Sequence, residues 1–143
     1  MSMDLPDLNP LIYAADKASP FHAQAHRWLQ NTLNGPQPFG VSELILQAVV
    51  RVLTHPKIYV TPLSVDKALA FVEAVRQAPN ARVLVPGRNH WSIFATQVRA
   101  ISARGNDITD AYHAALAIEH GCEFLTFDTG FARFTNLKWR KPF

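Results

Sequence analysis

The sequence has one cysteine, Cys122, among its 143 residues, and no unbroken apolar run longer than five residues. One thiol excludes an internal disulfide, and a run of five falls far short of the roughly 20 residues that span a bilayer, so we expect no transmembrane helix. No basic residue precedes Lys17 and no signal-like apolar stretch follows Met1. We therefore expect no secretory signal peptide and a reducing, cytoplasmic location.

Acidic residues are missing from two segments of the chain. None lies between residues 74 and 106, a stretch that holds five arginines, and none follows Asp128, where four basic residues occur. The formal net charge is only +3, so the distribution of charge is more informative than its sum. Basic surface in two places suits contact with a polyanion, with a solvated basic face as the alternative.

The apolar content is sufficient for a core. Hydrophobic residues make up 48% of the chain and charged residues 17%, which, with this length, predicts a single globular domain over residues 1–143. Short periodic segments are separated by Pro, Gly and Asn. Strands that alternate with helices predict an α/β fold, with a central, mainly parallel sheet of four to five strands flanked by helices.

The expected elements follow from hydrophobic spacing and from helix start and stop signals. The expected strands cover residues 5–8, 39–41, 82–85, 123–127 and 137–140. The expected helices cover residues 10–15, 20–33, 43–54, 64–79, 89–104 and 109–120. Helical spacing places Val65 and Leu69 on the inner face of the fourth helix and Trp91 on the inner face of the fifth.

Four of the eleven acids fall where strands end or helices begin. In a parallel sheet, ligands collect beyond the carboxyl ends of the strands, so these positions are expected to share one rim. Taken singly, each acid also has an ordinary role in a turn or in the first turn of a helix. The four candidate catalytic and metal-binding residues are Asp7, Glu43, Asp110 and Asp128.

Four clustered carboxylates repel one another unless cations neutralise them. The chain offers no group of thiolates, so a hard divalent ion with oxygen ligands, Mg²⁺ or Mn²⁺, suits these acids better than zinc. His22 and His26 stand four residues apart on a helix, but without the glutamate of an H-E-x-x-H zinc motif they are better explained as part of an exposed face. An acidic metal site on a basic protein indicates phosphodiester cleavage.

The motifs around these acids resemble a known family. Residues 7–14 (DLNPLIYA) are similar to the opening Asp-x-Asn motif of PIN-domain ribonucleases, and residues 41–44 (VSEL) are similar to their second acidic motif. The strongest similarity covers residues 109–121 (TDAYHAALAIEHG) and 125–134 (LTFDTGFARF). Their order and spacing resemble the VapC toxin branch of bacterial VapBC toxin–antitoxin pairs over nearly the whole chain.

This resemblance implies a three-layer PIN fold, a Mg²⁺- or Mn²⁺-dependent endoribonuclease, a homodimer and a VapB-like antitoxin that occludes the site. By position, the four acids named above match the family's metal-binding residues. Asn9 matches the polar residue that supports the first aspartate, and Thr126 matches a hydroxyl near the fourth. Asp107 is an additional acid, which could cap the following helix or reach the metal through water.

Two other functions remain open from the residues. Residues 105–110 (GNDITD) loosely resemble the acidic metal loop of haloacid-dehalogenase-like phosphatases. That class needs a second aspartate two residues after its nucleophile, where this chain has Asn9. The other alternative is a non-catalytic α/β module that binds RNA or protein through its basic face, although four acids on one rim would then be costly.

Overall fold

The computed structural model describes residues 2–143, which form five strands and six helices. The elements in chain order are β1 (Asp4–Pro6), α1 (Leu8–Ala15), α2 (His22–Asn34), β2 (Phe39–Val41), α3 (Glu43–Leu53), α4 (Val65–Arg76), β3 (Ala81–Val83), α5 (His90–Ile101), α6 (Asn106–Glu119), β4 (Glu123–Leu125) and β5 (Lys138–Arg140). A short 3₁₀ turn, Thr129–Arg133, lies between the last two strands.

All neighbouring strands of the sheet are parallel, in the order β3-β2-β1-β4-β5. The central strand β1 pairs along its whole length with β4, from Asp4 opposite Glu123 to Pro6 opposite Leu125. The predicted parallel sheet flanked by helices is therefore confirmed, with five strands.

The direction of the connections places the helices on two faces. From β1 the chain moves outward through β2 to β3, and then returns across β1 to β4 and β5. Because parallel crossovers are right-handed, α1 to α4 lie on one face and α5 and α6 on the other. The helix contacts follow this division, since α1 packs on α2 and α3, α3 on α4, and α5 on α6.

The core lies where the inner strands meet these helices. Leu5, Phe39 and Phe124 of the three inner strands are almost fully buried. Helix α6 contributes small residues, among them Ala111 and Ala114, both without exposed surface. Small side chains allow the middle of α6 to pack closely on the sheet.

Most helix and strand boundaries differ from the predicted ones by one to three residues, and two of these differences bear on the site. Strand β1 ends at Pro6, and Leu8 begins α1 because the Asp7 carboxylate accepts a hydrogen bond from the Leu8 N–H. The proline is tolerated in a central strand because it is the last residue, and the next N–H, of Asp7, continues the pairing to Leu125 O at 2.9 Å. Helix α6 begins at Asn106, three residues before the predicted start, directly after Gly105 with φ of +57°.

The predicted inner faces of α4 and α5 are partly wrong. Val65 and Leu69 are 60% and 39% exposed, whereas Ala68, Val72 and Val75 of α4 are buried. On α5, Trp91 is 69% exposed. On α4 the buried stripe is narrower than the apolar stripe of the sequence. On α5 the buried residues are His90 and Gln97, which lie outside the predicted apolar stripe.

The described part of the chain, residues 2–143, contains no helix that is both long and apolar enough to cross a membrane. Cys122 is a buried free thiol directly before β4. Burial, with a smaller contribution from the negative Asp4, raises the pKa of this thiol to about 11. The thiol is therefore a packing residue with little nucleophilic character at neutral pH.

Candidate active site

The two strands at the centre of the sheet each deliver an aspartate to the same edge. β1 and β4 are neighbours whose following connections leave in opposite directions, so a crevice opens beyond their carboxyl ends. Asp7 follows β1 directly, and Asp128 follows β4 after two residues. Asp110, in the second turn of α6, lines the same crevice.

This crevice, the acidic cleft, has a volume of about 400 Å³. Its walls come from the start of α1, one face of α3, the start of α6 and the segment after β4. The lining residues are Asp7, Leu8, Asn9, Ile45, Ala48, Arg51, Asn106, Thr109, Asp110, His113, Asp128 and Phe131. Three of the four predicted acids and the predicted supporting residue Asn9 thus share one cleft.

Both carboxylate oxygens of Asp7 are held. The Leu8 N–H donates to Oδ1 at 2.7 Å, and the Thr126 hydroxyl donates to Oδ2 at 2.7 Å. Asp7 is largely buried, and Thr126 is fully buried beside it. The first aspartate is therefore fixed in orientation by one local and one distant contact.

Thr126 connects the first and the last aspartate of the cleft. While its hydroxyl donates to Asp7, the same oxygen accepts from the Asp128 N–H at 3.0 Å. Asp128 then accepts the Gly130 N–H at Oδ1, 2.8 Å away, and caps the 3₁₀ turn. Any Cβ at position 130 would lie only 2.9 Å from this Oδ1, so a glycine keeps Asp128 in place.

Arg133 makes an ion pair that the sequence did not indicate. Its Nη2 donates to Asp110 Oδ2 at 3.1 Å and to Asp107 Oδ1 at 3.0 Å. The guanidinium also lies over the Phe134 ring, 5.0 Å from its centroid. Asp107 therefore pairs with Arg133 and does not cap α6, whose N-cap is Gly105 without a side-chain bond.

The electrostatics of the cleft disfavour three bare carboxylates. Burial raises the pKa of Asp7 above its ordinary value, opposed by the hydrogen bonds from Thr126 and Leu8, and the negative Asp128 raises it further. Burial also raises the pKa of Asp110, as do Asp128, Asp7 and Asp107, while Arg133 lowers it. Each carboxylate thus makes ionisation of another less favourable, and an added cation would relieve this cost.

His113, one turn after Asp110, lines the same cleft. Its Nδ1 atom is buried and has no hydrogen-bond partner among residues 2–143. Burial lowers the pKa of His113, and the negative Asp7 opposes this shift. The imidazole is therefore neutral at pH 7 and contributes a polar wall rather than a positive charge.

Glu43 is the predicted metal-binding acid that does not line the cleft. It begins α3 and accepts the Arg76 Nε–H at 2.9 Å, with its side chain 56% exposed. The face of α3 that lines the cleft carries Ile45, Ala48 and Arg51. At 100° per residue, Glu43 points about 140° away from Ala48 around the helix axis. The structure therefore brings three of the four predicted acids together, and a metal-binding role for Glu43 stays a prediction.

The three aspartates are neighbours but do not form a closed ligand set. Within residues 2–143, no three His, Cys, Asp or Glu side chains are grouped closely enough to hold a metal ion. The possible ligands nevertheless suit a hard divalent cation, because they are carboxylate oxygens. Their negative charges also repel one another, and a cation would relieve this repulsion. His22 and His26 lie in a different cavity, 5.6 Å apart between ring centroids.

The PIN domain family matches residues 5–137 of this chain. A parallel five-stranded sheet with three aspartates at its switch point, and a family match over nearly the whole length, identify the class. The chain belongs to the PIN-domain family.

Relatives place the chain more narrowly. It is 38% identical over 136 residues to VapC ribonuclease Mb2897 of Mycobacterium bovis, which covers 95% of this chain and 92% of the relative. It is 34% identical over 140 residues to ribonuclease VapC33 of Mycobacterium tuberculosis, which covers 98% of each. Its relatives within the PIN family are therefore the VapC ribonucleases, as the motifs predicted.

A solved structure agrees on the fold. The chain superposes on a chain in the crystal structure of VapBC2 from Rickettsia felis bound to a promoter DNA fragment, with a TM-score of 0.71. The alignment covers 97% of this chain and 98% of that chain at 14% sequence identity. At this identity the similarity concerns the fold alone, and it confirms the predicted three-layer arrangement.

Proposed function

We propose that this chain is a divalent-metal-dependent endoribonuclease and the toxin of a type II toxin–antitoxin pair. The observation that carries the proposal is the acidic cleft, where Asp7, Asp110 and Asp128 line one crevice at the switch point of the sheet. RNA as the substrate is supported by the relatives, which are named ribonucleases. A cytoplasmic location belongs to the same proposal, because RNA is found there.

Mg²⁺ or Mn²⁺ is the ion that we propose for the acidic cleft, held by the three aspartates. These ions prefer carboxylate oxygen, and the cleft offers no thiolate among its lining residues. When bound, such an ion activates water for attack on the phosphodiester and stabilises the leaving oxygen.

The chain's own contacts prepare the carboxylates for this role. Thr126 and the Leu8 N–H orient Asp7, the Gly130 N–H orients Asp128, and Arg133 holds one oxygen of Asp110. Side chains that are already oriented lose little conformational entropy when a ligand binds. Asn9, on the first turn of α1, adds a neutral polar group to the wall beside Asp7.

The position of Glu43 leads to a prediction that separates it from the three aspartates. We expect Glu43→Gln to retain Mn²⁺ binding and RNA cleavage within about twofold, because only an exposed ion pair with Arg76 is lost. Calorimetric titration with Mn²⁺ and a cleavage time course measure both quantities. A loss as large as that of Asp110→Asn would show that Glu43 reaches the metal after all.

The antitoxin part of the proposal has a physical counterpart in a second groove. A cavity of about 650 Å³ is lined by apolar residues from four helices, among them Ala14, Leu29, Leu53 and Phe71, and by polar and charged residues that include Asp16, Lys17, His22, His26 and Lys67. An amphipathic helix of a VapB-like partner could cover such a groove. A chain with the same fold occurs in the solved VapBC2 complex of Rickettsia felis, which supports a partner of this kind. Assembly as a homodimer stays a prediction.

Expression with and without the protein encoded beside this one tests the toxin proposal. We expect expression alone to arrest growth and the neighbour to relieve it. If the partner inserts a basic side chain among the aspartates, it competes with the metal, so inhibition of RNA cleavage should weaken as Mg²⁺ or Mn²⁺ concentration rises. Harmless expression of a protein that cleaves RNA in vitro would instead favour a housekeeping RNA-processing nuclease.

A further inference from the structure

The wall of the acidic cleft formed by α3 carries a cation and no acid. Ile45, Ala48 and Arg51 recur at intervals of three residues, and all three line the cleft. The aspartates come from the other walls, at the ends of β1 and β4 and in the second turn of α6. The cleft is therefore asymmetric, with carboxylates on one side and one guanidinium on the other.

Arg51 differs from the other arginines near acids because it has no counter-ion. Arg76, Arg133 and Arg140 each pair with a carboxylate at 3.1 Å or less. No carboxylate within residues 2–143 lies within ion-pair distance of Arg51. Its charge is thus free to meet an anion from outside the protein.

Arg51 also borders a second groove. Besides the acidic cleft, it lines a depression of about 440 Å³ between α3 and α4, whose other charged lining residues are Arg76, Glu43 and Glu73. It consequently lies on the ridge that separates the two. Arg51 is the residue that both cavities share, on the side of a bound phosphate chain that crosses α3.

We propose that Arg51 binds the RNA backbone at the cleft, with its guanidinium donating hydrogen bonds to a non-bridging phosphate oxygen. This inference rests on the proposed nuclease function and names a substrate-binding residue for it. Three carboxylates and one divalent ion leave one net negative charge, which would repel RNA. Arg133 is already balanced by Asp107, so Arg51 is the cleft residue that offsets this charge.

The test measures binding separately from cleavage. Fluorescence anisotropy with a labelled single-stranded RNA, in chelator and over a range of KCl concentrations, gives the dissociation constant and its salt dependence. We expect Arg51→Gln to raise the Kd about tenfold and to reduce the slope of log K against log salt by about 1, since one phosphate contact is lost. Arg51→Lys should keep the slope and lose only part of the affinity.

Two controls make the result specific. Arg27→Gln removes an exposed arginine of α2 that lines a different cavity, and it should bind RNA as the unaltered protein does. Mn²⁺ affinity should be unchanged in Arg51→Gln. The inference is overturned if Arg51→Gln binds RNA like the unaltered protein, or if it loses Mn²⁺ instead. If the unaltered protein neither binds nor cuts RNA, the proposed function fails and Arg51 loses its role with it.

Discussion

Asp7→Asn and Asp110→Asn should each reduce RNA cleavage by at least about a hundredfold. Each change removes a negative ligand from the acidic cleft, where a metal ion contributes several kcal/mol of charge stabilisation, and each 1.4 kcal/mol is tenfold in rate. Single-turnover cleavage with saturating Mg²⁺ measures the effect. Asp66→Asn, which neutralises an exposed acid in the first turn of α4, is the matched control and should cleave at the unaltered rate.

The same Asp110→Asn change should leave the fold intact and, in chelator, hold or raise the melting temperature. The pKa of Asp110 is raised in the folded protein, so the folded state binds a proton more tightly than the unfolded state. Stability then falls as pH rises from the ordinary value of 3.8 through the raised pKa, and this cost persists at pH 7. Asn lacks the charge and avoids it. A marked drop in melting temperature at pH 7 would contradict this account.

Thr126→Val should lower both stability and cleavage, whereas Thr126→Ser should preserve them. The buried hydroxyl donates to Asp7 and accepts from the Asp128 N–H. Valine keeps the shape but leaves a buried carboxylate oxygen and a backbone N–H without partners, a loss of about 1–3 kcal/mol in the free energy of unfolding. Serine retains the hydroxyl that joins the two aspartates.

Urea unfolding and single-turnover cleavage, measured for both Thr126 variants, check this prediction. The two readouts separate a structural role from a positioning role. Thr126→Val should lose cleavage even without urea, at a temperature where the variant is fully folded. Equal cleavage by the folded valine and serine variants would show that orientation of Asp7 by this hydroxyl is unimportant.

The sequence was sufficient to locate three of the four acids because their positions depend on topology. Asp7 follows β1 directly, Asp128 follows β4 after two residues, and Asp110 lies near the start of α6. Parallel strands bring all such positions to one edge. The alternation of strands and helices was therefore enough to predict both the fold and this part of the cleft.

Glu43 shows what the same reasoning does not determine. It also begins a helix at the rim, but the phase of α3 decides which residues face the cleft, and that phase places Ala48 and Arg51 there. Phase depends on how Ile45, Leu46, Val49 and Leu53 pack into the core. The position of Glu43 along the chain correctly predicts the edge of the sheet where it lies. Which face of α3 points into the cleft depends on how the helix packs, and only the structure shows this.

Arg133 was missed for a different reason. Its partners, Asp107 and Asp110, are 26 and 23 residues away in sequence, and no local spacing rule connects them. The contact arises because the 3₁₀ turn after Asp128 brings Arg133 beside the start of α6. Long-range ion pairs of this kind follow from tertiary structure alone.

Divalent-metal binding to the acidic cleft is the measurement that tests the central claim most directly. Isothermal titration with Mn²⁺ should show saturable binding to the unaltered protein, much weaker binding to Asp7→Asn, Asp110→Asn and Asp128→Asn, and unchanged binding to Asp66→Asn. In a cleavage assay, addition of Mg²⁺ should restore RNA cleavage to protein that has been treated with chelator. Undiminished Mn²⁺ binding by all three cleft variants, or full RNA cleavage in chelator, would contradict the account.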